Sequence, residues 1–101
     1  MSNLQISVCI PLFNEEESLP ELHAWIKRVM NANSFSYEII FVDDGSTDNS
    51  WECIRTLCKK HSTTQGIRFA RNFGKSQALH SGFAQAKAPL FPSLSSETSW
   101  L

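Results

Sequence analysis

Asp43 and Asp44 are adjacent carboxylates, and Gly45, Ser46, Thr47 and Asp48 follow them at once. Two like charges a few ångströms apart resist joint ionisation, so the pair suggests a bound cation or hydrogen-bond donors from a ligand. The competing use is a helix N-cap, because Ser46, Thr47, Asp48 and Asn49 are all good capping residues. Both uses fit: Asp48 caps a helix beginning near Asn49, while Asp43 and Asp44 are better placed to face a ligand. Two further groups have chemistry to offer, Pro11-Leu12-Phe13-Asn14-Glu15-Glu16 and Arg71-Asn72-Phe73-Gly74-Lys75.

Each group stands at the end of an apolar, β-branched run. Tyr37 to Val42 reads as a fully buried strand that delivers its carboxylates to the mouth of a sheet. Ile6-Ser7-Val8-Cys9-Ile10 is a shorter strand, ending near Ile10 because Pro11 cannot donate to a ladder. Gly66 to Arg71 makes a third. Between them lie helical patterns. Ser18 and Glu21 have capping-box spacing, and Leu19, Leu22, Ile26, Val29 and Met30 repeat at helical period, which predicts a helix from about Ser18 to Asn31 with Trp25 bordering its apolar stripe. Trp51, Ile54, Leu57 and Cys58 mark a second helix ending around Lys59-Lys60-His61, with its cations at the negative pole. Ala78, Leu79, Gly82, Phe83 and Ala86 fall on one face of a third, from about Ser76 to Lys87.

The order β-α-β-α-β-α predicts parallel strands with right-handed crossovers, half of a doubly wound α/β fold. Ligands of such folds sit outside the carboxyl ends of the strands, so Pro11 to Glu15, Asp43 to Ser46 and Arg71 to Lys75 are expected to meet at one crevice.

Composition narrows the partners. With 101 residues, 42% hydrophobic and 19% charged, the chain is at most one ordinary globular domain, and its net charge of −1 leaves no electrostatic footprint for nucleic acid or an anionic membrane. Cys9, Cys53 and Cys58 are odd in number and form no C-x-x-C pair, which argues against a disulfide framework or a zinc site and fits a reduced, cytoplasmic setting. No signal peptide or membrane-spanning run is evident.

Among phosphate-handling motifs, Gly74-Lys75-Ser76 fails as a P-loop because Phe69 stands where the first glycine is required. Aspartyl-nucleophile phosphatases separate their two aspartates by one residue, whereas Asp43 and Asp44 touch. A Rossmann G-x-G-x-x-G is absent, and a receiver domain carries its paired acids after the first strand, where this chain has Pro11 and Asn14.

Cys9-Ile10-Pro11-Leu12-Phe13-Asn14-Glu15-Glu16, Phe41-Val42-Asp43-Asp44-Gly45-Ser46-Thr47-Asp48 and Ala70-Arg71-Asn72-Phe73-Gly74-Lys75, in that order, resemble the successive strand-end motifs of family 2 glycosyltransferases. The third motif and the helix after it are most similar to the branch that transfers sugars to polyprenyl phosphates. The resemblance covers roughly residues 6 to 88 and implies the N-terminal half of a GT-A fold, with a UDP- or GDP-sugar as donor and a polyprenyl phosphate as acceptor. It implies that Pro11, Phe13 (usually Tyr in the family) and Glu15 line a base and ribose pocket completed by Val42, Asp43 and Asp44. Of the acids, Asp44 is expected to accept from the base and Asp43 to act through loop geometry. Arg71 and Lys75 would neutralise the diphosphate, the plainer alternative for Arg71 being an exposed strand-end charge.

In the resembled family a fourth strand follows and ends in Asp-x-Asp, which holds Mg²⁺ or Mn²⁺ against the sugar diphosphate. Here residues 89–101 carry two prolines and a Ser-rich stretch, and residues 88–101 contain no Asp. The expectation is a nucleotide-sugar-binding part over 1–88 and an aberrant, disordered tail over 89–101. Such a chain holds no metal, has no catalytic residue of its own and is inactive alone, and membrane association belongs to C-terminal parts it lacks. The family often works at the cytoplasmic face of a membrane. The alternative is a non-catalytic nucleotide-sugar-binding or interaction module.

Overall fold

The computed structural model describes residues 4–88. The expectation of a disordered tail over 89–101 lies outside them. Three strands, β1 (Ile6–Leu12), β2 (Tyr37–Asp43) and β3 (Thr64–Arg68), alternate with three helices, α1 (Leu19–Ala32), α2 (Ser50–Lys60) and α3 (Lys75–Gln85). The strands form one parallel sheet in the order β1-β2-β3, with Ile10 opposite Phe41 and Phe41 opposite Gly66.

Every residue of the central strand is buried, as a parallel strand covered on both faces should be. The two-residue period of the strands divides the core. Val8, Ile10 and Leu12 join Tyr37, Ile39 and Phe41 in a cluster closed by Leu19, Ile26 and Met30 of α1 and Ile54 of α2. On the other face Cys9, Ile40 and Val42 meet Ala78 of α3.

Several element ends depart from the sequence reading. β1 runs on through Pro11 to Leu12, which a proline can do because, among the described residues, β1 pairs on one side only, with β2. β3 spans Thr64–Arg68 instead of Gly66–Arg71, so Arg71 lies three residues past its end in the loop before α3. Its start is fixed early because Thr64 is buried and its Oγ1 lies 2.7 Å from Nε2 of His23. The Ser18–Glu21 capping box is not formed, since Ser18 has helical backbone angles and makes no side-chain cap bond. The carbonyl of Glu15 instead accepts from the N–H groups of Ser18 and Leu19, and Pro20 has no N–H to satisfy. Phe83, expected on the packed face of α3, is 45% exposed; the buried residues of that helix are Ala78 and Gly82.

At the opposite end of the sheet from the strand mouths, the buried Glu38 carboxylate accepts from the Ser7 hydroxyl at 2.6 Å, the Gln65 amide at 2.9 Å and the Lys87 N–H at 2.7 Å. This network ties the residues after α3 to the start of β1 and β2.

Candidate functional site at the strand mouths

The β1–α1 loop is laced to the β2–α2 loop by side chain to backbone bonds. Asn14 has φ of +53°, a left-handed conformation that Asn tolerates better than most residues. Its Oδ1 accepts from the N–H of Thr47 at 2.8 Å and of Asp48 at 3.2 Å, while its own N–H donates to the Ser46 hydroxyl at 2.8 Å. The Glu15 N–H donates to the Ser50 hydroxyl at 2.8 Å, and the Asn49 N–H donates to the Glu16 carboxylate at 3.0 Å. Asp48 accepts from the Ser50 N–H at 2.9 Å and the Glu16 N–H at 3.4 Å. It therefore caps the first amide of α2 from one residue outside the N-cap position, which belongs to Asn49. Burial opposes its ionisation, but the bonds from Ser50 and Glu16 outweigh that and hold its carboxyl below the usual value.

Asp43 and Asp44 are both fully buried. Strand alternation sends their side chains to opposite faces, which relieves the repulsion between neighbours. Asp43 Oδ1 accepts from the Ser46 N–H at 2.8 Å and so shapes the loop, but its Oδ2 is buried with no hydrogen-bond partner among the described residues. Asp44 turns to the α3 side, where its two oxygens accept from the N–H groups of Phe73 and Gly74 at 2.7 and 2.9 Å. The donors that this carboxylate calls for are thus supplied by the chain.

All three strand mouths are drawn together by these bonds. Pro11 and Val42 are buried opposite each other in the ladder, and Phe13 and Glu15 are half-buried beyond it. Arg71 is exposed and lays its guanidinium over the Phe73 ring, 4.5 Å from the centroid, while Lys75 begins α3 half-buried. A polar groove of about 290 Å³ beside the first mouth is lined by Glu15, Glu16, Glu17 and Asp48 with Asn14 and Ser18. Its carboxylates would repel a diphosphate, whereas Arg71 and Lys75 on the third mouth would attract one.

Asn14 and Ser46 fall within the spans expected to meet at the crevice but have no ligand-facing role assigned there, and Ser50 lies outside them, although all three knit the site. The signal for Asn14 was its residue type at a turn between strand and helix; its partners, more than 30 residues away, carried none. Among the described residues, no three His, Cys, Asp or Glu side chains come together in a way that could hold a metal ion. The described residues therefore offer no preformed three-ligand site for the divalent cation implied by the resemblance. No described helix is long and apolar enough to cross a membrane.

Comparison with known proteins places this geometry. The family model for glycosyl transferase family 2 matches residues 7–92. An undecaprenyl-phosphate 4-deoxy-4-formamido-L-arabinose transferase of Aeromonas hydrophila is 39% identical over 93 residues, 91% of this chain and 28% of that protein. A prophage bactoprenol glucosyl transferase homolog of Escherichia coli is 35% identical over 83 residues, 82% of this chain and 27% of that protein. The chain thus spans little more than a quarter of the length of these relatives. Among solved structures, a mannosyltransferase of Pyrobaculum calidifontis, in complex with GDP-mannose and Mn²⁺, superposes with a TM-score of 0.66 at 20% identity, covering 86% of this chain and 26% of that one. The described residues form the alternating strand–helix part of a GT-A fold.

Proposed function

As the chain belongs to glycosyl transferase family 2, we propose that residues 1–88 are its donor-binding part, taking a UDP- or GDP-sugar at the three strand mouths. The acceptor in the whole protein is a polyprenyl phosphate, by analogy with what the bacterial relatives act on. The single observation that carries the reading is the Asp43 Oδ2 atom, a buried acceptor with no partner beside a ring of fixed loops. Leaving such an oxygen unpaired costs about 1–3 kcal/mol, more when charged, so a donor that a ligand brings to it would recover that cost. The imide N–H of uracil, or the N1–H and amino group of guanine, has the required chemistry.

In this reading Pro11, Phe13, Glu15 and Val42 line the base and ribose pocket together with Asp43 and Asp44, and Arg71 and Lys75 meet the diphosphate; Pro11 and Val42 are buried, Phe13 and Glu15 half-buried. Relative to the sequence reading, the emphasis moves from Asp44 to Asp43 as the unpaired acceptor. Free thiols at Cys9, Cys53 and Cys58 suit a reduced cytoplasmic setting for this part.

For residues 1–101 taken alone we propose donor binding without turnover. Of the described residues none forms a cation site, and residues 88–101 contain no Asp to complete one.

Calorimetric titration with UDP and GDP, using ADP as the contrast, tests the reading. Preferential binding of one of the first two is expected, with Asp43→Asn losing roughly tenfold in affinity. Equal affinity for all three, or an Asp43→Asn variant that binds unchanged, would remove the base pocket from this place.

A further inference from the structure

β3 is an edge strand of the described sheet, and the ladder register shows which of its backbone groups are open. The Ile39 N–H donates to the Thr63 carbonyl at 2.8 Å and the Phe69 N–H to the Asp43 carbonyl at 2.9 Å. With Phe41 opposite Gly66 and Asp43 opposite Arg68, β3 therefore bonds to β2 through Gln65, Ile67 and Phe69. The N–H and C=O groups of Gly66 and Arg68 point the other way, to an edge that no described strand pairs.

The two faces beside this edge differ in chemistry. Strand alternation puts Gly66 and Arg68 on the α2 side, where a Cβ on Gly66 would strike Ile54 and Trp51 and the Arg68 guanidinium lies 5.7 Å from the centre of the Trp51 ring. A groove of about 390 Å³ runs there past Gln65 and Gly66, bounded by Trp51, Arg55 and Lys59. Among the described residues the one ion pair is Arg55 with Glu52, so Lys59 and Arg68, both exposed, are uncompensated. On the opposite face α3 covers β1 and β2, leaving Ile67 and Phe69 half-buried at the rim of the second apolar cluster.

We infer that the β3 edge takes an extended acidic peptide of a partner protein as a further strand. Acids at every second position of that peptide meet Lys59 and Arg68, and the apolar residues between them cover Ile67 and Phe69. Backbone pairing with Gly66 and Arg68 supplies the ladder, and the alternate side chains supply the selection. Charge decides the occupant: two copies of this chain joined edge to edge about a two-fold axis would bring their cations to the same side of the sheet, where they repel. An anionic lipid or a nucleic acid would meet the cations but has no peptide groups to offer the open edge.

NMR titration of the 101-residue chain with a short synthetic peptide of alternating Glu and Val tests it. Binding is expected, with slowed hydrogen exchange at the Gly66 and Arg68 amides. N-methylating every second peptide amide, in each of the two phases, should abolish binding in the phase that faces β3, and a peptide of alternating Lys and Val should not bind. In Lys59→Glu/Arg68→Glu the Glu-Val peptide should lose roughly tenfold in affinity and the Lys-Val peptide should bind instead. The peptide series on the unaltered chain stands whether or not that variant folds. Absence of binding, or binding indifferent to N-methylation or to peptide charge, overturns the inference. So does slow exchange at Gly66 and Arg68 in the free monomer, where the chain would cover its own edge, or in a concentration-dependent dimer, where a second copy would be the occupant. Tighter binding of an oligonucleotide or of anionic vesicles at the same face overturns it as well.

Discussion

Gly82 of α3 lies directly against the sulfur of Cys9 on β1, so close that a Cβ on Gly82 would overlap Sγ while also reaching Val42 Cγ2 at 3.4 Å. The missing side chain sets the distance between helix and sheet. Gly82→Ala should therefore destabilise the fold, an overpacking cost of about 1–3 kcal/mol outweighing the gain in helix propensity of roughly 0.5–1 kcal/mol. Urea unfolding measures it. Cys9→Ala in the same chain vacates the contested space and should recover part of the loss; additivity of the two effects would show that the contact does not govern the packing.

His23 gives stability a pH dependence. It is 3% exposed beneath α1, its Nε2 2.7 Å from Thr64 Oγ1 and its ring 4.4 Å from that of His61. Burial, aided by the nearby charges of His61 and Lys27, pulls its pKa from 6.5 down to about 4. The folded state thus prefers the neutral ring, and the unfolded chain takes up a proton first. Stability is full above about pH 6.5 and falls as pH drops towards 4, by up to about 1.4 kcal/mol per unit and on the order of 3 kcal/mol in all. Asp48, whose carboxyl is held low, adds its own loss only at still lower pH. Urea midpoints between pH 7.5 and 4.5 should fall in the unaltered chain and flatten in His23→Gln, which cannot titrate; parallel slopes would assign the effect elsewhere.

The thiols should react unequally. Cys9 is 1% exposed and burial pushes its pKa up to about 11, so it is both shielded and almost wholly protonated at neutral pH. Cys53 and Cys58 are raised as well, chiefly by burial, but are only half-buried. Alkylation of the native chain followed by peptide mapping should modify Cys53 and Cys58 well before Cys9. Early labelling of Cys9 would mean that α3 opens readily from the sheet.

What the sequence disclosed follows the range of the interactions concerned. The apolar, β-branched runs and the stripe through Leu19, Ile26 and Met30 are local patterns, and they disclose the element order. Arg71 was misplaced onto β3 because Phe69 and Ala70 continue the apolar run, while the ladder stops at Arg68. His23 is not among the residues that the helical period picks out on α1, since its partner Thr64 lies 41 positions away. The divided roles of Asp43 and Asp44 were illegible for the same reason. Nothing near Asp44 announces that Phe73 and Gly74, 29 and 30 residues on, will supply its donors.

Asn14 is where the first two mouths of the site are most exposed to a single substitution. Its carboxamide oxygen takes two backbone N–H groups, its N–H reaches the Ser46 hydroxyl, and its φ of +53° is a conformation that Ala adopts at a cost of roughly 1–2 kcal/mol. Asn14→Ala loses the acceptor and strains the backbone; Asn14→Gly loses the acceptor alone. The Thr47 and Asp48 amides are near solvent, so water recovers much of the lost bonding and the acceptor contributes about 0.5–1.5 kcal/mol. Asn14→Gly should therefore sit between the unaltered chain and Asn14→Ala in urea stability, with both variants weakening UDP or GDP binding because the loop holding Glu15 is freed from the loop after Asp43. Equal stabilities for the Gly and Ala variants would show that the left-handed turn relaxes without cost, and unchanged nucleotide affinity in both would separate the lacing of these loops from the donor site.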